Sequence, residues 1–419
     1  MKSAEIIAVG SELLTPAHVD TNSLFITAEL NRLGVDVVEK HVVLDDLCRL
    51  TRAIRESLDR VEIILLSGGL GPTEDDVTRA AAAAALGREL IFSPEQEEIL
   101  VRRFQRLNRK MAEINRRQAY LIDGAEAISN PHGTAPGQFY RTDNGALFLL
   151  PGPPRELKPM VTEQVVPRLE KILPPQVIRT KTFRIAGMGE SDLDALIAPV
   201  YTRYKNPTTT VLSGPGDLTV TLVARCEIEA EADALLEEVG EPIAKLLGDR
   251  LYSTRDEPLE IVIGNLLRER QATVATAESC TGGMAAVRLT EYAGSSDFFK
   301  ASFVTYTDEQ KSRLLGVSEE MLEQHTAVSE PVAVAMAEGA LEKSGATYAV
   351  SITGYAGPTG GTEENPVGSV FIGIATPTEA KALRFRYGLD RNRVRLLSTQ
   401  TALDLLRRAI LGIELSTWR

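Results

Sequence analysis

The sequence predicts an α/β protein in which two α/β domains are joined by a small α+β domain. Three observations carry that reading. Near both ends, short apolar runs closed by glycine alternate with helical patterns, the signature of doubly wound sheets. Between them, runs alternate apolar with polar residues, as strands with one solvated face do. The chain has 419 residues, more than one ordinary core supports. The expected domains are 1–167, 168–254 and 255–419.

In the first domain, Glu5 to Val9 is an apolar strand ending at Gly10. A helix follows Asp20-Thr21-Asn22, three good N-cap residues, with Ile26, Leu30 and Leu33 on one face and Gly34 as its stop. Val35 to Val43 and Val61 to Leu66 are strands, the latter nearly all apolar and so buried on both faces. A helix carrying Ala80 to Ala85 is closed by Gly87, and Ala146 to Leu150 is a further buried strand. In the middle domain, Thr180 to Ile185 and Leu218 to Ile228 alternate, with amphipathic helices near Ser191 to Tyr204 and Ala230 to Leu247. The last domain opens on a helix bearing Leu259, Ile263, Leu266 and Leu267. Strands follow at Ala272 to Ala277, Phe303 to Tyr306, Tyr348 to Thr353 and Ser369 to Ala375.

The formal net charge is -12, which argues against a sequence-independent nucleic-acid binder, since that needs a basic surface to release counterions. Small phosphorylated ligands remain open, because a few arginines or backbone N–H groups hold them. Cys48, Cys226 and Cys280 are odd in number and lack CxxC pairing, which points to a reducing compartment without disulfides. The opening MKSAEIIAVGSELL lacks a signal-peptide apolar run, and no stretch reaches the length of a membrane span. A cytoplasmic location with no membrane partner is expected.

Three turns of the last domain carry polar groups suited to chemistry. Thr276-Ala277-Glu278-Ser279-Cys280-Thr281-Gly282-Gly283 joins a strand to a helix, where ligands of open α/β sheets bind. A serine there points out of the sheet beside N–H groups able to stabilise an oxyanion. Its hydroxyl needs a base, and no histidine lies in a glycine-rich turn of this domain. A buried lysine is an established substitute, and Lys311, after the turn Thr305-Tyr306-Thr307, is the leading candidate. The third turn, Ser351 to Gly361, offers free backbone N–H groups from its glycines. Beyond it, Arg391 and Arg395 share one helical face and suit a phosphate. Cys280 is the rival nucleophile, since thiolates are intrinsically better ones; its other reading is a small residue packed beneath the turn.

In this order, TAESCTGG, Gly294 to Ser296, FVTYTDEQK, AVSEPVA, SITGYAGPTGG, NPVGSV and DRNRVR resemble the nicotinamide mononucleotide deamidases, from about Leu259 to the end. The resemblance implies hydrolysis of the carboxamide of nicotinamide mononucleotide, giving nicotinic acid mononucleotide and ammonia. It makes Ser279 the nucleophile and Lys311 its general base. It places Tyr306, Thr281, Gly282, Gly283, Thr353, Gly354, Gly357, Arg391 and Arg395 around the substrate. No cofactor or metal is needed for that reaction.

The first domain holds AVGSELL, Asp20-Thr21-Asn22, SGGLGPTEDDVT, NPHGTAPG and LPGPPRE. SGGLGPT after a buried strand has the form of a phosphate cradle. Asp75 and Asp76 suit either the positive end of a helix or a hard divalent cation. His18 and His132 stand apart from any Cys or His cluster, which argues against a zinc site. This set resembles a molybdopterin-binding domain, in the version that opens the competence/damage-inducible CinA proteins; with a KH-like spacer, that resemblance spans the chain. It implies a metal-dependent (Mg, Mn or Co) ADP-ribose pyrophosphatase. Gly10, Glu12, Asn22, Ser67, Gly68, Gly69, Gly71, Thr73, Gly133, Pro151 and Gly152 then hold nucleotide or phosphate, and Asp75 and Asp76 the metal. Ser11 stands where the family often has an aspartate, one carboxylate fewer. The glycine turn of the spacer, Ala186-Gly187-Met188-Gly189-Glu190-Ser191-Asp192, is acidic, unlike RNA-binding KH loops. The expectation is a homodimeric salvage enzyme acting on nicotinamide mononucleotide and ADP-ribose. The alternatives are a molybdopterin-type binding module without hydrolase activity, and a non-catalytic partner of DNA uptake.

Overall fold

The computed structural model describes residues 2–106, 108–388 and 390–415. The chain divides into two compact units: Met1–Ile178 with Arg225–Glu229, and Arg179–Ala224 with Ala230–Arg419.

The first unit contains β1 (Ser3–Val9), β2 (Asp36–Val43), β3 (Ile63–Ser67), β4 (Leu90–Phe92), β5 (Tyr120–Ile122), β6 (Glu126–Ile128), β7 (Gly137–Arg141) and β8 (Ala146–Leu150). Six of these form one sheet in the order β2-β1-β3-β8-β7-β6. β2, β1, β3 and β8 are parallel, while β7 and β6 fold back antiparallel. β3 and β8 are buried at every position, as their apolar runs require. One face is covered by Ile26, Leu30, Leu157 and Met160, the other by Leu50, Ile54, Ala81 and Ala82. The alanines let helix Thr78–Leu86 lie close to the sheet, and so bring its N-terminus to the end of β3.

In the second unit, β9 (Val177–Ala186), β10 (Thr208–Gly214), β11 (Asp217–Cys226) and β12 (Leu251–Ser253) form a sheet in the order β10-β11-β9-β12. Leu218, Val220, Leu222 and Ala224 of β11 face inward, the alternation read in the sequence. A further sheet has the order β14-β13-β15-β16-β17, with β13 (Val274–Glu278), β14 (Phe299–Val304), β15 (Tyr348–Gly354), β16 (Ser369–Ala375) and β17 (Ala380–Arg386). β14, β13 and β15 are parallel; β16 and β17 are antiparallel. Helices Leu259–Glu269 and Arg391–Leu411 pack on one face, and helix Glu330–Ser344 on the other.

The strand expected at Phe303 to Tyr306 runs instead from Phe299 to Val304. Its register against β13 pairs Val274 with Phe299 and Glu278 with Val304, so both strands end together and Thr305 to Thr307 leave the sheet as a turn. β17 carried no readable alternation, because edge residues bury only every third position or so.

Candidate active sites

The serine turn is built by a residue that sequence reasoning did not single out. β13 ends in Glu278, fully buried, whose carboxylate accepts from Thr281 Oγ1 at 2.7 Å and from the N–H groups of Gly283, Ala285 and Ala286 at 3.0, 3.1 and 2.9 Å. A carboxylate under a helix N-terminus exchanges water for charge-assisted donors and the helix dipole. The available signal was a charge closing an otherwise apolar strand just before a helix. Ser279 N–H donates to Ile352 O at 2.9 Å, pinning the turn to β15. Gly283 has φ +96°, a conformation that a side chain would strain. Ser279 is 9% exposed, and among the described residues nothing hydrogen-bonds to its hydroxyl.

Lys311 lies in helix Asp308–Leu315, which follows β14, and is 1% exposed. Its amine meets the Asp308 carboxylate at 3.4 Å, and Asp308 is itself largely in solvent. Serine and lysine thus stand beyond the carboxyl ends of neighbouring parallel strands. Arg391 joins the second and third turns: it donates to Tyr306 Oη at 2.9 Å and to Gly357 O at 2.6 Å. Arg395 donates to Thr281 O at 2.8 Å, and its Nη2 lies 3.5 Å from where a Cβ on Gly282 would sit. The two arginines therefore reach different turns from one helix. Thr353 is buried and its hydroxyl donates to Ala327 O at 2.7 Å. Gly354 allows the close approach of Ser369 O, 2.7 Å from where its Cβ would lie.

Cys280 is buried, and burial pushes its thiol up to about 12, with Glu278 adding to the effect. A raised thiol pKa leaves the neutral form dominant until the pH nears that value, so at pH 8 roughly one molecule in 10⁴ holds a thiolate. Iodoacetamide at pH 8 is therefore expected to label the exposed Cys48 and leave Cys280 untouched, read by peptide mass spectrometry. Rapid labelling of Cys280 would contradict this.

In the first unit, a cleft of about 350 Å³ gathers Gly10, Glu12, Gly68, Gly69, Gly71, Asp75, Asp76, Pro151 and Gly152. Asn22 lies beneath it: its Nδ2 donates to Ser67 Oγ at 3.0 Å and Gly152 O at 2.7 Å, while its buried Oδ1 has no partner. The helix start is capped instead by Asp20, which accepts from Ser23 N–H. Gly133 lines a neighbouring cavity of about 240 Å³, and Thr73 is not among the cleft-lining residues. Asp45, Gln118, Thr134, Ala135 and Glu156 line the cleft and were not anticipated. Asp45 and Gln118 lie outside every motif read in the sequence, whereas Thr134, Ala135 and Glu156 belong to NPHGTAPG and LPGPPRE, in which the glycines and Pro151 were singled out instead.

The glycine loop is less open than a run of free N–H groups. Gly68 N–H donates to Leu150 O, while Gly71 and Thr73 N–H donate to the Asp76 carboxylate at 2.7 and 2.8 Å. Among the described residues, Gly69 and Leu70 N–H are left without an acceptor. Buried Arg79 holds the Leu70 and Gly71 carbonyls at 2.6 and 2.8 Å; burial lowers its guanidinium to about 10, so it stays a cation at neutral pH. Asp76 thus staples the loop, and the carboxylates left open are Glu12, in part Asp75 and Glu156, which the Thr73 hydroxyl and Asn130 approach, and Asp45, which Ser11 orients through N–H and hydroxyl at 2.8 Å. Outside the cleft, Glu5, Glu39 and His41 come together, but both Glu5 oxygens take Arg60, which makes that group an ion-pair network. Among the described residues, no helix is long and apolar enough to cross a membrane.

Three family models match successive stretches of the chain. A model described as "Probable molybdopterin binding domain" matches residues 5–171, a damage-inducible protein CinA KH domain matches 180–253, and a CinA C-terminal domain matches 256–410. A CinA-like protein of Solibacter usitatus is 53% identical over 409 residues, 98% of each chain. Another, of Koribacter versatilis, is 44% identical over 97% of this chain and 100% of its own. The crystal structure of the competence/damage inducible protein CihA from Agrobacterium tumefaciens matches at 42% identity, covering 36% of this chain and 93% of its own, with a TM-score of 0.36. With a molybdopterin-binding-like domain, a KH-like domain and a CinA C-terminal domain in that order, the chain belongs to the CinA family of competence/damage-inducible proteins.

Proposed function

We propose that the C-terminal domain is a Ser-Lys amidohydrolase that converts nicotinamide mononucleotide to nicotinic acid mononucleotide and ammonia. The observation that carries it is a serine with an uncommitted hydroxyl on a pinned strand-to-helix turn, with a buried lysine beyond the next strand and the competing thiol held neutral. Ser279 Oγ attacks the carboxamide carbon, its proton passes to Lys311 Nζ, and the C=O π pair moves onto oxygen. Collapse restores the carbonyl and breaks the C–N bond, and ammonia leaves with the proton from Lys311. Water then attacks the acyl ester in the same way, returning a proton to Ser279 Oγ and releasing the carboxylate. The nicotinamide ring is taken from the motifs running from Thr276 to Arg395, and Arg391 beside Tyr306 suits its phosphate. Ammonia release from nicotinamide mononucleotide by the purified chain tests the reading; none would overturn it.

For the N-terminal domain we propose a metal-dependent ADP-ribose pyrophosphatase, favoured by the charge of its cleft. Glu12, Asp45, Asp75, Asp76 and Glu156 line it, with no lysine, arginine or histidine among the described lining residues. A pyrophosphate entering alone would meet that repulsion, with the Gly69 and Leu70 N–H groups and the neutral side chains of Gln118 and Thr134 as its only donors among the described lining residues. A divalent cation beside carboxylate oxygens reverses that sign, and Glu12, Asp45 and Asp75 would hold it. Bound there, Mg, Mn or Co would supply Lewis-acid polarisation of a phosphoryl oxygen. EDTA is therefore expected to abolish AMP release from ADP-ribose while leaving ammonia release unchanged, with divalent metal restoring the first. No AMP under any metal would return this domain to a molybdopterin-type binding role. A cytoplasmic homodimer completes the reading.

A further inference from the structure

The hydrogen bonds of the Ser279 turn can be accounted for group by group. Ser279 N–H goes to Ile352 O, and Gly282 N–H goes to Ser279 O at 3.1 Å. Gly283 N–H and the Thr281 hydroxyl go to Glu278, and Thr281 O receives Arg395. What remains is the pair of N–H groups immediately after the serine, those of Cys280 and Thr281, which have no acceptor on another residue among those described; Cys280 N–H meets only its own sulfur. The Ser279–Cys280 peptide is held by Gly282 N–H on Ser279 O, and Thr281 is gripped at its hydroxyl by Glu278 and at its carbonyl by Arg395. Glu278 also ties the turn to the first residues of helix Met284–Thr290. Two adjacent, rigid, unpaired N–H groups next to a nucleophilic hydroxyl are what a developing oxyanion requires.

Resting on the deamidase reading above, we propose that Cys280 and Thr281 N–H form the oxyanion hole of this site, and that Glu278 is the positioning residue that builds it. Glu278 does not touch the substrate, and it moves no proton. Its carboxylate is fully occupied by donors, so it acts only as an acceptor that sets the direction of the following peptides. It also cancels the positive end of the helix locally, leaving the two free N–H groups as the donors aimed at the reacting carbonyl. The geometry further explains Cys280: its backbone is used, and its side chain is packed away.

Glu278→Gln in the full chain tests this, because the amide keeps the shape but presents donors to donors. The deamidase reading is established first on the unchanged protein, by ammonia release; failure there overturns reading and proposal together. Sites are then counted by calorimetric titration with nicotinic acid mononucleotide. The expected result is a fall in kcat per binding site of about 10² or more, the size of losing an oxyanion donor. KM should move by less than about threefold, and the pH of half-maximal kcat/KM should not move. A merely structural role would lower the number of binding sites and leave kcat per site as it was. A loss of one limb of the pH profile would make Glu278 an acid or base instead. Should Glu278→Gln not fold, Thr281→Val removes a single partner of the carboxylate and should lower kcat per site by about tenfold. Unchanged kcat per site in whichever variant folds overturns the proposal.

Discussion

Ser279→Ala is expected to end ammonia release from nicotinamide mononucleotide, with a loss in kcat of about 10⁴-fold or more, as when a covalent nucleophile is deleted. Substrate affinity should change little, since the hydroxyl has no partner among the described residues whose loss would reshape the turn. Lys311→Met should fall to a similar level, because nucleophile and base act as one unit and their effects do not add. The double variant should then be no worse than either single one. The rival outcome is sharp. If the thiol of Cys280 carried the chemistry, Ser279→Ala would retain activity and Cys280→Ala would lose it. Burial argues against that, for a thiol at about 12 is a poor source of nucleophile at neutral pH. Stopped ammonia assays on the variants, with AMP release from ADP-ribose as an internal control, decide between them. AMP release should survive all of these changes.

Much of this was legible before any coordinates. The strands Ala146–Leu150 and Ser369–Ala375 lie where their apolar runs put them, because strands buried on both faces leave an unbroken signal. The turn around Ser279 was likewise readable, since a glycine pair between strand and helix leaves few alternatives. What could not be read was which polar groups each side chain would take as partners, even among near neighbours. Glu278 stood at a readable strand-to-helix junction, but nothing in the sequence said that its carboxylate would fold back under the next helix and take the N–H groups of Gly283, Ala285 and Ala286. Asp76 shows the same limit from the other side. As a sequence feature it suited a cation, but in the fold its oxygens are taken by Gly71 and Thr73. Asp45 entered the cleft from a loop and Gln118 from a short 3-10 helix, neither within a motif read in the sequence. Patterning reports burial along one segment. It does not report which polar atoms of two segments meet.

Asp404→Ala is expected to be the most destabilising single change in the second unit. Asp404 is fully buried in helix Arg391–Leu411, where Arg407 Nε and Arg408 Nε donate to its two oxygens at 2.8 and 2.9 Å. Both arginines are almost fully buried themselves, and Arg407 Nη2 also holds Asp249 O at 2.7 Å. Removing the carboxylate strands two cations in a low-dielectric interior. Breaking a buried pair in this way costs about 3–5 kcal/mol. For a unit of this size, that corresponds to a fall in Tm on the order of 10 °C. The same helix carries Arg391 and Arg395 at its other end, where they hold Tyr306, Gly357 and Thr281. Loosening it should therefore reduce deamidase activity near the new midpoint before global unfolding. AMP release, whose cleft lies in the first unit, should not follow. The charge-free replacement Asp404→Leu, Arg407→Met, Arg408→Leu separates the causes. If stranded charge is the source of the loss, the triple variant should recover most of the midpoint, because well-packed apolar residues often replace a buried ion network at little cost. If it is as unstable as Asp404→Ala, the lost hydrogen bond from Arg407 to Asp249 O outweighs the relief of stranded charge, and restoring arginine at 407 alone should recover part of the midpoint. Differential scanning calorimetry of the three proteins reads the answer directly.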